Sequence, residues 1–199
     1  ATGIVLLFPL LLQQGLGFLK TDKLYMHAWR ALVGLTAMYG FFYAIAKLPL
    51  SNAMLFTYSS PVFIPLVAWL FLKEPINSRT IAAAVLGFIG VILVCHPDKG
   101  VFNTIAIIGI VSSLLAAMAF VTVRALTSTE PVTRIVFYFA FFSTIISDIP
   151  LTWAWRPLTL TEYGWVIGAG LLATLSQLAM SKAYALAPAS RIGPAAYLA

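Results

Sequence analysis

The amino-acid sequence predicts an all-α integral membrane protein: an inverted repeat of two five-helix units, ten helices when complete. Three observations predict it. Of 199 residues, 61% are hydrophobic and only 9% charged, with a mean hydropathy of +0.98; a soluble domain carries roughly 25% charged residues. The apolar residues form runs of about 20, the length that carries a helix across a bilayer. Lysine and arginine gather at alternate ends of those runs, as topology signals do.

The run at 1–12 is apolar but too short to span, and 13–27 is polar, with Lys20, Asp22 and Lys23. Residues 28–48 span. Residues 50–72 span with Pro61 and Pro65 inside, and stop at Lys73-Glu74-Pro75. Residues 77–95 span, and 96–103 holds Pro97-Asp98-Lys99-Gly100, a turn signal. The stretches 104–123, 135–153 and 163–181 span, and another apolar segment begins at 188. The expectation is six full spans and two partial ones. Trp29, Trp69, Trp153, Trp155, Tyr163 and Trp165 sit at the ends, as in an interfacial aromatic belt. The runs are continuous, whereas a barrel strand alternates over about 10 residues.

Lys20, Lys23, Arg30, Lys73, Arg79, Arg124, Arg134, Lys182 and Arg191 fall in one set of loops, and Lys47, Lys99 and Arg156 in the alternate set. Nine against three places the first set in the cytoplasm. The net charge of +6 comes from these scattered residues, with no dense basic patch, so no nucleic acid is expected as a partner. Cys95 is the single cysteine, which rules out an intrachain disulfide. No cationic stretch precedes the first apolar run, so no signal peptide is expected.

A pattern recurs at an offset of 139: Ala44/Ala183, Ala46/Ala185, Pro49/Pro188, Ser51/Ser190 and Tyr58/Tyr197 coincide without a gap. The same shift lays 135–153 on the short first run and 163–181 on the first full span. The expected organisation is a first repeat at 1–95, lacking its first helix and part of its second. A second repeat at 104–199 lacks most of its fourth helix and all of its fifth. An odd helix count inverts one unit against the other, a plan of secondary transporters that hold substrate near the midplane.

Tyr43-Ala44-Ile45-Ala46-Lys47-Leu48-Pro49, Ser60-Pro61-Val62-Phe63, Phe71-Leu72-Lys73-Glu74-Pro75 and Leu86-Gly87-Phe88-Ile89-Gly90-Val91 follow one another in order. Together they resemble the EamA domain of the drug/metabolite transporter superfamily. In that family a mid-helix Ser-Pro, a Glu ending the same helix and a small-residue helix recur in this sequence. Ala83 departs mildly, standing where the family often has Gly. The resemblance implies a multi-pass protein of the cell inner membrane, with ten helices and both ends cytoplasmic.

Several spans carry uncharged polar faces. Residues 163–181 align Thr174, Gln177 and Ser181, and 28–48 align Thr36, Tyr39 and Tyr43. Thr57, Ser59 and Ser60 stand beside Pro61, and 135–153 carries Tyr138, Ser143 and Thr144. Such faces are unfavourable against lipid and point inward. Tyr39, Ser60, Ser143, Thr174 and Gln177 are the expected substrate-binding residues, with interhelical hydrogen bonding as the alternative for each. Pro61 and Pro65 each remove a backbone hydrogen bond and serve as a hinge or a fixed kink. Glu74, beside Lys73 and near Arg79, is a gate latch or a cytoplasmic salt-bridge cluster. The small-residue faces Ala83/Gly87/Val91 and Gly109/Ser113/Ala117 permit close helix packing or form a homodimer surface.

His27 and His96 read as interfacial residues at helix ends. No full span carries an acid at its midplane. There is no His-Glu-x-x-His, no Cys or His cluster and no paired carboxylates, so neither an enzyme nor a metal or cofactor site is expected. The expected function is transport of a small organic substrate (amino acid, nucleotide-like metabolite or drug) by alternating access across the lipid bilayer. The alternative is a non-transporting scaffold or assembly subunit, which would have no need of polar midplane faces.

Overall fold

The computed structural model describes residues 3–7, 15–95 and 104–198. The expected turn at 96–103, with His96, and residues 8–14 lie outside the described residues. Beyond a helical turn at 3–7, the described residues form helices α1 Leu24–Lys47, α2 Leu50–Thr57, α3 Ser60–Leu72, α4 Ser78–Cys95, α5 Thr104–Leu126, α6 Val132–Ala154, α7 Leu160–Leu186 and α8 Ala189–Ala195. Short 3-10 turns occupy Leu16–Leu19 and Ala196–Leu198.

Leu50–Leu72, Ile105–Leu126, Val132–Ala154 and Leu160–Leu186 are long and apolar enough to cross a membrane. α1 is long enough at 24 residues, about 36 Å at 1.5 Å per residue. Its hydropathy is diluted by His27, Arg30 and Lys47. α4, with 18 residues, is shorter than α1, α5, α6 and α7. Leu70, Leu86, Trp165 and Leu172 are exposed, an outward apolar surface that a bilayer covers.

The segment 50–72 is not one continuous helix kinked at its prolines. It breaks at Tyr58 and Ser59, between α2 and α3. The Ser59 hydroxyl donates to the Leu55 carbonyl at 2.9 Å and the Ser60 hydroxyl to the Thr57 carbonyl at 3.0 Å, occupying acceptors at the break. Pro61 falls in the first turn of α3, where its missing N–H leaves no intrahelical bond unmade. Pro65 alone lies inside α3. The stop at Lys73 is achieved by a left-handed residue, φ 55°, a conformation that disfavours any side chain with a Cβ by about 1–2 kcal/mol. Pro75 follows two residues later.

The described chain forms two compact units. One comprises Ala1–Leu32 with Leu126–Leu186, the other Val33–Ala125 with Ala187–Ala199. Each draws on both sequence halves, so the compact units interleave the stretches 1–95 and 104–199.

In the second unit, Ala44, Leu48, Ala53, Leu55, Phe56 and Ala106 form a buried core. α3 packs along α8; a Cβ at Gly193 would lie 2.9 Å from Ile64, so only glycine permits that approach. The Tyr197 ring covers Gly87 and the Phe56 ring covers Gly109. These small-residue positions are filled from within the chain. Pro49 (φ −52°, ψ 142°) and Pro188 (φ −56°, ψ 143°) take the same extended conformation just before α2 and α8. The Tyr197 hydroxyl donates to the Tyr58 carbonyl at 2.7 Å, joining two residues 139 apart, the offset of the sequence repeat.

In the first unit, α6 packs on α7. The turn Leu16–Leu19 is pinned to α6 by two donors: Arg134 to the Phe18 carbonyl at 2.6 Å and Tyr138 to the Leu19 carbonyl at 2.6 Å. Arg134 also pairs with Glu130 at 2.6 Å, and Glu130 accepts from the Thr21 hydroxyl at 2.7 Å.

Candidate functional site

The first unit contains a buried cation with no counter-ion among the described residues. Arg30 projects from α1 and is 3% exposed. Its Nη2 donates to Gln177 Oε1 on α7 at 2.7 Å, and its guanidinium carbon lies 3.9 Å from the centre of the Phe139 ring on α6. Three helices thus meet on one side chain. Neither Nε nor Nη1 finds an acceptor, and no carboxylate among the described residues pairs with it. An amide oxygen and an aromatic face each favour a cation, the face by about 0.5–2 kcal/mol, but neither neutralises it. Isolated buried charge is among the most unfavourable arrangements in proteins.

Its surroundings share the shortage of partners. His27, one helical turn earlier on α1, is 1% exposed, and neither ring nitrogen makes a hydrogen bond. The imidazole leans on Tyr138, with ring centres 4.7 Å apart. Ser181, one turn beyond Gln177 on α7, is fully buried with an unpartnered hydroxyl, and the hydroxyl oxygen of half-buried Ser143, one turn beyond Phe139 on α6, also lacks a partner among the described residues. Thr174 differs: its hydroxyl returns to the Gly170 carbonyl at 2.7 Å. At the edge of this region, in the loop before α6, burial pushes the Glu130 carboxyl up. The Thr21 hydroxyl and the Arg134 guanidinium outweigh it and hold it below its usual value.

The second unit holds a mainly apolar cavity of about 210 Å³, walled by Phe41, Phe56 and Phe120 and touched by Thr57, Ser60, Ser112 and Ser113. Those hydroxyls are committed to backbone carbonyls, Ser113 to that of Phe56 as well as that of Gly109, which leaves their lone pairs but not their protons for a ligand. Tyr39, 43% exposed, lines a separate groove with Thr36, Tyr43 and Val111. Glu74 joins three elements of this unit. Its Oε1 accepts from Arg124 Nε at 3.1 Å, and its Oε2 from the Ser190 N–H at 3.4 Å. The expected neighbours Lys73 and Arg79 are not its partners among the ion pairs described.

The five expected lining residues therefore divide. Ser143, Thr174 and Gln177 belong to the first unit, Tyr39 and Ser60 to the second, and Gln177 alone of them is bonded to a buried charge. The sequence alone reads His27 as an interfacial residue and Arg30 as a topology charge, and neither as part of a site. Arg30 nevertheless lies inside the run 28–48, and an ionisable residue within a span is by default a functional signal.

Residues 1–95 match the EamA-like transporter family. The pseudopaline exporter CntI of Pseudomonas aeruginosa (strain UCBPP-PA14) is 29% identical over 100% of this chain and 70% of its own length. An S-adenosylmethionine uptake transporter of Rickettsia bellii is 24% identical over 98% of this chain and 67% of its own. A solved crystal structure superposes with a TM-score of 0.80 at 16% identity, covering 99% of this chain and 71% of the other, a likeness of fold.

Proposed function

We propose that this chain, whose residues 1–95 match the EamA-like transporter family, is a multi-pass inner-membrane transporter that moves a small organic metabolite by alternating access between two inverted five-helix repeats. The observation that carries the reading is the buried bond between Arg30 and Gln177. A scaffold gains nothing from an unneutralised cation in its interior, whereas a carrier needs polar groups that substrate completes and vacates. The paired prolines Pro49 and Pro188 and the Tyr58–Tyr197 bond support the repeat at 1–95 and 104–199.

Relatives along the whole chain export pseudopaline or take up S-adenosylmethionine, by their names. Both directions of transport occur among them, so direction is set by details finer than the fold. Within this reading Ser143, Thr174 and Gln177 line the path with Arg30, and Tyr39 and Ser60 contribute aromatic and hydroxyl surface. The break before Pro61, with Pro65 beyond it, is the flexing point, and Glu74 is the latch of a gate. A homodimer would use the open face at Gly90, which has nothing packed against it among the described residues.

Counterflow in proteoliposomes tests the proposal. Saturable exchange of at least one metabolite across a panel, lost in Gln177→Ala, is the expected result. Non-saturable flux, or none with any compound, would remove it.

A further inference from the structure

Resting on the transporter reading, we propose that the substrate bears a carboxylate and that this group is received by Arg30. The observation is a local surplus of donors. Among the described residues, every buried side-chain nitrogen or oxygen without a partner lies in the first unit: both ring nitrogens of His27, Nε and Nη1 of Arg30, and the hydroxyls of Ser143 and Ser181. Native interiors satisfy the large majority of such atoms, so six in one unit mark a place built for something else.

Their spacing brings them together. His27 and Arg30 are three apart on α1, Phe139 and Ser143 four apart on α6, Gln177 and Ser181 four apart on α7. Residues at those spacings share a helix face. Since Phe139 and Gln177 both touch Arg30, each orphan group shares a helix face with Arg30 or with one of its two contacts.

The missing partner is an acceptor and an anion. A guanidinium has five N–H donors and no acceptor, and a carboxylate is acceptor-only with about four lone-pair positions. The charge count favours a monoanion. Arg30 supplies one uncompensated positive charge, and the nearby Arg134 is already neutralised by Glu130. A phosphate dianion would be left with charge to spare. Gln177 and the Phe139 face hold the guanidinium in one orientation before ligand arrives, which lowers the ordering cost of binding.

The test uses the full-length protein in phosphatidylcholine nanodiscs, with benzoate and its uncharged isostere benzamide as probes. Benzoate is expected to raise Tm in a saturable way while benzamide does not. Arg30→Gln, which keeps a polar amide but removes the charge, is expected to keep its ligand-free Tm and weaken benzoate at least about tenfold, the scale of a lost charge-assisted bond. Arg30→Lys, which keeps the charge, checks folding and is expected to retain part of the response.

Equal responses to both probes, no response to benzoate, or an undiminished response in Arg30→Gln would each overturn the inference. So would stabilisation by phosphatidylglycerol that depends on Arg30 and leaves benzoate without effect, since a lipid headgroup would then be the occupant. Failure of the transporter reading is separable: benzoate would bind at Arg30 while counterflow stayed absent for every carboxylate supplied.

Discussion

The Glu74 carboxylate accepts from Arg124 Nε at 3.1 Å, binding the end of α3 to the end of α5 across 50 residues of chain. Its second oxygen takes the Ser190 N–H, so one side chain holds three elements at one end of the second unit. Both charged groups are mostly shielded, with side-chain exposures of 28% and 13%. Removing the acid takes away the Arg124 bond and the Ser190 bond together. Glu74→Ala is therefore expected to lose about 1–3 kcal/mol in a denaturant titration. A cysteine at Ser190 should then react faster with a thiol reagent, as a released latch requires. Unchanged stability and unchanged labelling would make the pair ornamental.

The same bond fixes topology. Two groups 3.1 Å apart lie on one side of any membrane, so the turns after α3 and α5 share a compartment. Single cysteines at Arg79 and Ser128, both exposed, in a Cys95→Ser background should label from the cytoplasmic side with an impermeant maleimide. Labelling from opposite sides would contradict both the charge-derived orientation and the structure.

Tyr197 and Gly87 make a matched pair. A Cβ at Gly87 would stand 2.2 Å from the Tyr197 ring, and the ring cannot retreat without giving up its bond to the Tyr58 carbonyl. Gly87→Ala is expected to destabilise by about 1–3 kcal/mol through overpacking. Tyr197→Phe should cost about 0.5–1.5 kcal/mol, the net worth of one hydrogen bond. The double variant Gly87→Ala/Tyr197→Ala should recover part of the first loss, because the collision is gone. Simple additivity of the two would mean that they do not touch.

Much of this was legible in the sequence, for reasons that can be located. The helices were readable because lipid demands continuous apolar runs, and the small residues Gly87 and Gly109 announced close packing. Gln177 stood out because an amide on an otherwise apolar face needs a partner. That partner, Arg30, was hidden by its position: two residues inside a run, it looks like a loop charge until the fold buries it. Pro61 misled in the opposite direction. A proline within an apolar run of ordinary spanning length suggests a kink, yet the break falls before it, where Ser59 and Ser60 turn their hydroxyls onto backbone carbonyls. Hydropathy carries no record of such local competition.

Glu130 gives a pH dependence with a definite sign. Thr21 and Arg134 hold its carboxyl below its usual value against the opposing effect of burial. A group depressed in the folded state stabilises the fold above its unfolded pKa and loses that contribution as pH falls through its folded pKa. Wild type should therefore exceed Glu130→Gln in Tm at neutral pH, and the gap should close on acidification below the ordinary carboxylate range. The closing should carry the Leu16–Leu19 turn with it, because Arg134 is shared between Glu130 and the Phe18 carbonyl. Limited proteolysis near Lys20 should accelerate in Glu130→Gln at neutral pH, and in wild type only in acid. A Tm gap that is constant across the acid range would show that Glu130 acts by shape rather than by charge.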